Sequence, residues 1–97
     1  MKEVIESTKQ KIVSLENAIK YLDDCGEFTF EVYQESYRVA DIEQKESQLQ
    51  HMWSQAKFVL PSGNQPGGVA ALRQITRESF VESIDQLQKL VDLMEKI

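Results

Sequence analysis

The sequence predicts an all-α fold, an antiparallel three-helix bundle with helices over about residues 3–24, 30–59 and 68–97. Near both ends of the chain, apolar residues recur every three or four positions, which is the period of one helix face. A segment rich in Pro and Gly, residues 61–68, stops the second predicted helix and precedes the third as a connector. We therefore expect one helical domain over residues 1–97.

The last third of the chain organises this prediction. Its apolar residues form one stripe along a helix, in which the one polar position is Thr76. The apolar members of the stripe are Val69, Leu72, Phe80, Ile84, Leu87, Val91 and Met94. A helix of about 30 residues is about 45 Å long. It cannot bury such a stripe alone, so the other helices must cover it.

The first helix carries a heptad pattern, in which apolar residues and one Thr alternate at steps of three and four. Its members are Met1, Ile5, Thr8, Ile12, Leu15, Ile19 and Leu22. Gly26 is a candidate left-handed cap. Asp23 and Asp24 are unfavourable at a helix C-terminus, where the dipole prefers cations, so we expect this end to fray. The predicted core includes Ile12, Leu15, Ile84 and Leu87.

Residues 27–32 allow two interpretations. Phe28, Phe30 and Val32 alternate with polar residues, which is the period of a strand. Alternatively Thr29 is an N-cap, with Phe28 packed against Tyr33 across the first turn of a helix. We favour the helix because a lone short strand needs a pairing partner, and the only other strand-like run is residues 57–60.

The second predicted helix has two apolar faces that point roughly 150° apart at 100° per residue. Residues 43–48 between them are all polar. Either the helix bends or breaks near 43–48, or one straight helix buries different faces at its two ends. The first face comprises Phe30, Tyr33, Tyr37 and Ala40, and the second comprises Ile42, Leu49, Trp53, Ala56 and Leu60.

The composition excludes several classes of function. The 16 acidic and 11 basic residues give a net charge of −5 and are evenly spread. Because no basic stripe exists, we expect no direct nucleic-acid binding. No apolar run approaches the length of a membrane span. The single cysteine, Cys25, cannot form an internal disulfide, and a cytoplasmic location is expected.

No motif carries a recognisable chemistry. Gly63 and Gly68 have the spacing of a phosphate-binding loop, but Val69 and Ala70 replace its Lys and its Ser or Thr. The only histidine, His51, and the only cysteine lie on separate segments and are too few to hold zinc. We therefore expect no enzyme, no cofactor and no metal.

The expected function is a non-enzymatic protein–protein interaction module: an adaptor, an inhibitor or a small regulator. It would act through an exposed helix face as a homodimer, since a short first helix leaves apolar surface uncovered. Two alternatives stay open, a helical ligand-binding or catalytic domain and an acidic decoy for a nucleic-acid-binding protein. The residues predicted at the protein interface are the aromatic side chains Phe28, Phe30, Tyr33 and Tyr37.

Overall fold

A computed structural model describes residues 1–97, which form four helices and no β-sheet. The helices are α1 (Lys2–Asp24), α2 (Phe30–Val39), α3 (Glu46–Ala56) and α4 (Gly68–Glu95). The all-α prediction is confirmed, and the first and last predicted helices agree closely with α1 and α4. The number of helices is four rather than three, because the predicted second helix is divided at residues 40–45.

Helices α1 and α4 form an antiparallel pair along the long axis of the molecule. The Lys9 ammonium lies 3.6 Å from the Glu95 carboxylate near one end. Arg77 Nε lies 2.8 Å from Asp23 Oδ1 near the other. The molecule is 47 Å long, and a 28-residue helix such as α4 spans about 42 Å of it. Helices α1 and α4 therefore form the axis of the molecule; α2 packs mainly on α1, and α3 packs on α4.

The break between α2 and α3 resolves the conflict between the two apolar faces. Asp41 adopts a left-handed backbone conformation (φ 58°), which Asp tolerates better than most residues. The chain reverses there, so α2 and α3 lie side by side. Tyr33 of α2 consequently shares one buried cluster with Leu49 and Ala56 of α3 and with Leu72 of α4. A straight helix would have pointed these faces apart.

The start of α2 confirms the helical interpretation of residues 27–32. The Thr29 hydroxyl accepts a hydrogen bond from the Val32 backbone N–H at 3.3 Å, as an N-cap does. The rings of Phe28 and Tyr33 meet edge to face with centroids 6.0 Å apart. This contact joins the residue before the cap to the fourth helical residue, which fixes the angle at which the chain enters α2.

The end of α1 has partners that the sequence did not reveal. Gly26 is left-handed (φ 71°), as predicted for a cap. The Arg73 guanidinium on α4 donates hydrogen bonds to the backbone carbonyls of Leu22 and Gly26. Arg77 pairs with the Asp23 carboxylate. The two arginines supply the positive charge that the last turn of α1 lacks. The unfavourable charges of Asp23 and Asp24 at this helix end, from which we expected fraying, are therefore compensated by α4.

The core consists of three clusters. The first joins α1, α4 and Ala40 at the end of α2, and the second is the Tyr33 cluster described above. The third, formed by Ile12, Val91 and Met94, draws on α1 and α4 alone. Ile12 and Leu15 are buried as predicted. Ile84 and Leu87 are only half-buried, because the short helix α2 does not cover this part of α4 completely. The first cluster comprises Leu15, Ala18, Leu22, Ala40 and Phe80.

Candidate protein-interaction surface

Three of the four aromatic residues predicted at an interface, Phe28, Phe30 and Tyr33, pack against Trp53. The Trp53 ring lies 5.4 Å from Phe28, 5.8 Å from Phe30 and 6.0 Å from Tyr33, measured between centroids. These are the distances of favourable aromatic pairs. Because Trp53 belongs to α3 and the other rings to the start of α2, the cluster fastens the two helices together.

Tyr33 lies at the centre of this cluster and is 1% exposed. Burial, reinforced by the neighbouring hydroxyl of Tyr37, raises the pKa of Tyr33 well above its usual value. Tyr37 in turn packs edge to face on Phe80 of α4, with centroids 5.4 Å apart. The ring of Tyr33 thus packs inside this chain. An intermolecular contact of Phe28, Phe30, Tyr33 and Tyr37 stays a prediction; within the chain Tyr33 is buried and the other three are half-buried.

A different apolar surface surrounds the end of α3. Phe58 is 79% exposed and Leu60 is 82% exposed, although both belong to the large apolar residues that usually lie inside. Their neighbours around the α3–α4 connection are exposed as well. We name this surface the apolar shelf; its members are Met52, Phe58, Val59, Leu60 and Ile75.

The apolar shelf borders a groove between α3 and α4. The groove has a volume of about 350 Å³ and is floored by two core residues, Ala56 and Leu72. Met52 stands on one side of it, and its flexible thioether can adapt to differently shaped contacts. The lining residues are Met52, Gln55, Ala56, Phe58, Val59, Leu72 and Ile75.

The backbone holds the apolar shelf in place. After α3 ends, the N–H of Phe58 donates to the Gln55 carbonyl at 3.0 Å, and that of Val59 donates to the Ala56 carbonyl at 3.1 Å. The Gly68 N–H, at the start of α4, donates to the Val59 carbonyl at 3.0 Å. The segment that carries Phe58 is therefore tied to both helices.

The remainder of the connector is compact. Ser62 and Gln65 exchange backbone hydrogen bonds of 3.3 and 2.8 Å around Gly63, which is left-handed (φ 57°). A Cβ atom at Gly67 would lie 2.8 Å from Pro61 and from the Val59 carbonyl, so only glycine fits there. Residues 61–68 thus form an ordered connection that supports the apolar shelf.

A row of carboxylates continues from the apolar shelf along α4. Glu78, Glu82 and Asp85 follow Ile75 by three, seven and ten positions, which places all four side chains on one side of the helix. The three acids are exposed and form no ion pair. The Gln74 amide donates to Glu78 at 3.2 Å, and Glu78 lines a small pocket beside Leu60.

A second concavity, of about 470 Å³, lies between α2 and α3. His51 and Met52 line one side of it and Tyr37 the other. Cys25 does not take part; it lies at the end of α1, where its thiol donates to the Leu22 carbonyl. No group of three or more His, Cys, Asp or Glu side chains is arranged to hold a metal ion.

Comparisons of the chain with protein families, with curated proteins and with solved structures return no match. None of the four helices is both long and apolar enough to cross a membrane. The functional inference therefore depends on the geometry of this chain alone.

The apolar shelf was not identified from the sequence, which assigned residues 58–59 to a helix. One signal could have found it. Phe58, Val59 and Leu60 are consecutive, and at 100° per residue three neighbours cannot share one buried face. Since Pro61 follows at once, no further helical turn exists to cover them. At least one large apolar side chain had to be exposed there.

Proposed function

We propose that the protein is a non-enzymatic helical protein–protein interaction module, an adaptor, inhibitor or small regulator, that binds its partner through the apolar shelf. The observation that supports this proposal is the exposure of Phe58 and Leu60 beside a preformed apolar groove. Contiguous exposed apolar patches are typical of interaction sites. A cytoplasmic location, expected from the sequence, stays part of the proposal.

The energetics favour a contact made by a few residues. Complete burial of one large apolar side chain stabilises by about 1.5–3 kcal/mol. Phe58 and Leu60 start almost fully exposed, so a partner that covers both gains about 3–6 kcal/mol before the costs of association. Aromatic residues and Met are enriched at interfaces, and a central aromatic residue is a typical anchor. Phe58 is the natural candidate for that anchor.

The shifted pKa values have structural causes, which supports binding rather than catalysis. The pKa of Asp23 is lowered and that of Arg77 is raised because the two side chains form a hydrogen-bonded ion pair. This pair joins α1 to α4. The raised pKa of Tyr33 follows from its burial between α2 and α3. The two locations are separate, whereas catalytic groups with shifted pKa values share one cleft.

The proposal includes a homodimer, and the end of the molecule opposite the apolar shelf supports it. Val4 lies five helical turns from Leu22, and Leu90 lies five turns from Leu72, so each pair shares one helix face. Leu22 and Leu72 are covered by α2 and α3, whereas Val4 and Leu90 are exposed. A second copy packed there would supply the helical layer that this end lacks.

The binding proposal is tested by affinity capture from cells that express the protein. The bait is the intact chain, the Phe58→Ser/Ile75→Ser variant or the matched control Val13→Ser, which alters an exposed apolar residue on α1. The expected result is a partner that the wild type and the control retain and the shelf variant loses, with all three equally helical. A partner that the shelf variant retains would overturn the proposed surface.

The dimer is tested separately by sedimentation equilibrium. A Leu90→Ser/Leu93→Ser variant removes two exposed apolar side chains of α4. The wild type is expected to dimerise and the variant to remain monomeric, with equal melting temperatures at concentrations low enough for both to be monomers. A wild type that is monomeric at every accessible concentration would contradict this part of the proposal.

A further inference from the structure

We infer that the segment accepted by the apolar shelf is an amphipathic helix with a basic flank, lying along α4 from Phe58 towards Asp85. This inference rests on the proposed function and deepens it, since it assigns the chemistry of the partner. Two properties of the surface support it: the shape of the groove and the row of carboxylates without ion pairs that continues from it.

The shape favours a helix. The groove lies between two helices, α3 and α4, and its floor is apolar. Ridges on a third helix pack into such a groove, and helix-in-groove docking is a recurrent mode of peptide recognition. From Ile75 to Asp85 is a distance of about 15 Å along α4, which matches about three turns of a partner helix.

The charges favour a basic flank. Glu78 borders the apolar shelf, and Glu82 and Asp85 continue the row on the same side of α4. The arginines nearest in sequence, Arg73 and Arg77, donate to the end of α1 instead. A helix whose apolar side occupies the groove can therefore place Lys or Arg side chains beside carboxylates that form no ion pair within the chain. Such complementarity sets register and accelerates association.

A second copy of this chain fits the apolar shelf less well. In a symmetric contact the same patch meets itself. Both copies would present the shelf together with Glu78 and Glu82, so each copy would bring the same carboxylates to the contact. Like charges brought together at an interface oppose binding. The apolar shelf is therefore distinct from the opposite end of α1 and α4, where self-association is proposed.

The test is a selection from a displayed library of helical peptides of about 18 residues, with an apolar stripe at i, i+3, i+4 and i+7. The flanking positions are randomised equally among Lys, Glu, Gln and Ser. The targets are the wild type, Phe58→Ser, Glu78→Gln/Glu82→Gln, and a control with the same change in net charge, Glu6→Gln/Glu16→Gln. Circular dichroism establishes that every target is folded.

The wild type and the control are expected to enrich peptides rich in Lys on one flank. Phe58→Ser should weaken the binding of the selected peptides by at least about tenfold. Glu78→Gln/Glu82→Gln should weaken them by about threefold to tenfold and reduce the salt dependence of binding. The control should bind as the wild type does.

The contradicting outcomes are distinct. Enrichment of acidic or neutral flanks, with binding still lost in Phe58→Ser, would overturn the basic partner and leave the docking surface standing. If the enriched peptides bound Phe58→Ser with the same affinity as the wild type, the apolar shelf would not be the docking surface. If no helical peptide is enriched while affinity capture finds a shelf-dependent protein, the partner is not a helix, and this inference fails alone.

Discussion

Arg77 of α4 and Asp23 of α1 are 54 residues apart in sequence and form a two-point contact, with Nε 2.8 Å from Oδ1 and an Nη2 nitrogen 3.2 Å from Oδ2. The paired geometry fixes the register of the two long helices, because the planar guanidinium matches the planar carboxylate. Both side chains are nearly half exposed, so the pair contributes modestly to stability.

The Asp23→Asn variant should lose stability only where the carboxylate is charged. The hydrogen bond from Arg77 lowers the pKa of Asp23 below its usual 3.8; burial acts in the opposite direction, and the charges of Arg77 and Arg73 add to the lowering. A carboxyl group whose pKa is lowered on folding stabilises above its unfolded pKa, and this stabilisation disappears as pH falls through the folded value. We expect a deficit of about 0.2–1 kcal/mol at neutral pH.

Urea unfolding of the wild type and Asp23→Asn across pH checks this expectation. The difference between them should shrink as pH falls below 3.8, the ordinary pKa of Asp, and it should also shrink in high salt. A difference that stays constant from neutral to acidic pH would mean that the ion pair is not its source.

Arg73 of α4 should contribute to the stability of the last turn of α1. Its guanidinium donates to the carbonyls of Leu22 and Gly26, which the end of α1 leaves without helical partners. Hydrogen bonds to charged groups contribute about 1.5–3 kcal/mol. We expect Arg73→Ala to destabilise by about 1–2 kcal/mol and to speed amide exchange in the last turn of α1.

Arg73→Lys is the matched variant, because it keeps the charge and removes the fork of donors. It should recover only part of the lost stability. Unchanged amide exchange in the last turn of α1 in Arg73→Ala would show that α1 does not depend on this contact.

Leu15 and Leu87 provide a graded test of the core. Leu15 is fully buried under α2 and against Phe80, whereas Leu87 is half-buried. Leu15→Ala should cost about 2–5 kcal/mol, as large-to-small substitutions in cores do. Leu87→Ala should cost clearly less, because less apolar area is lost. Chemical denaturation measures both, and equal costs would place Leu87 in a fully covered core.

Asp41 tests the turn that brings α2 and α3 together. Its left-handed backbone is strained for a β-branched residue and relaxed for Gly. Asp41→Val should destabilise by about 1–2 kcal/mol, whereas Asp41→Gly should change stability by less than about 0.5 kcal/mol. Trp53 fluorescence reports on the α2–α3 contact, because its ring packs on Phe28 and Phe30. If Asp41→Val were as stable as the wild type, the left-handed backbone at residue 41 would not be required for the turn between α2 and α3.

The sequence predicted the features that depend on local chemistry. The periodic stripes located α1 and α4, and Thr29 and Gly26 marked a helix start and a helix end through their own capping preferences. The polar residues 43–48 indicated a break, which the structure places slightly earlier, at residues 40–45.

The features that were missed depend on contacts between distant segments. The direction of α3 follows from the packing of Tyr33 against Leu49 and Ala56, and no periodicity within one helix encodes that choice. Arg73 reaches Leu22 across 51 residues. The turn at Asp41 also buries Tyr33, one of the residues predicted at the interface, against α3. A sequence pattern reports which side chains are apolar, but tertiary packing decides which of them stay uncovered.

The central claim, that Phe58 marks the surface where a partner protein binds, is tested most directly by site-specific photo-crosslinking in cells that express the protein. A photoreactive amino acid replaces Phe58 in one variant, Tyr37 in a second and Val13 in a third. We predict a crosslinked heteromeric species from position 58 and none from position 13. Crosslinking from position 37 without any from position 58 would contradict the claim and would return the interface to the aromatic residues of α2.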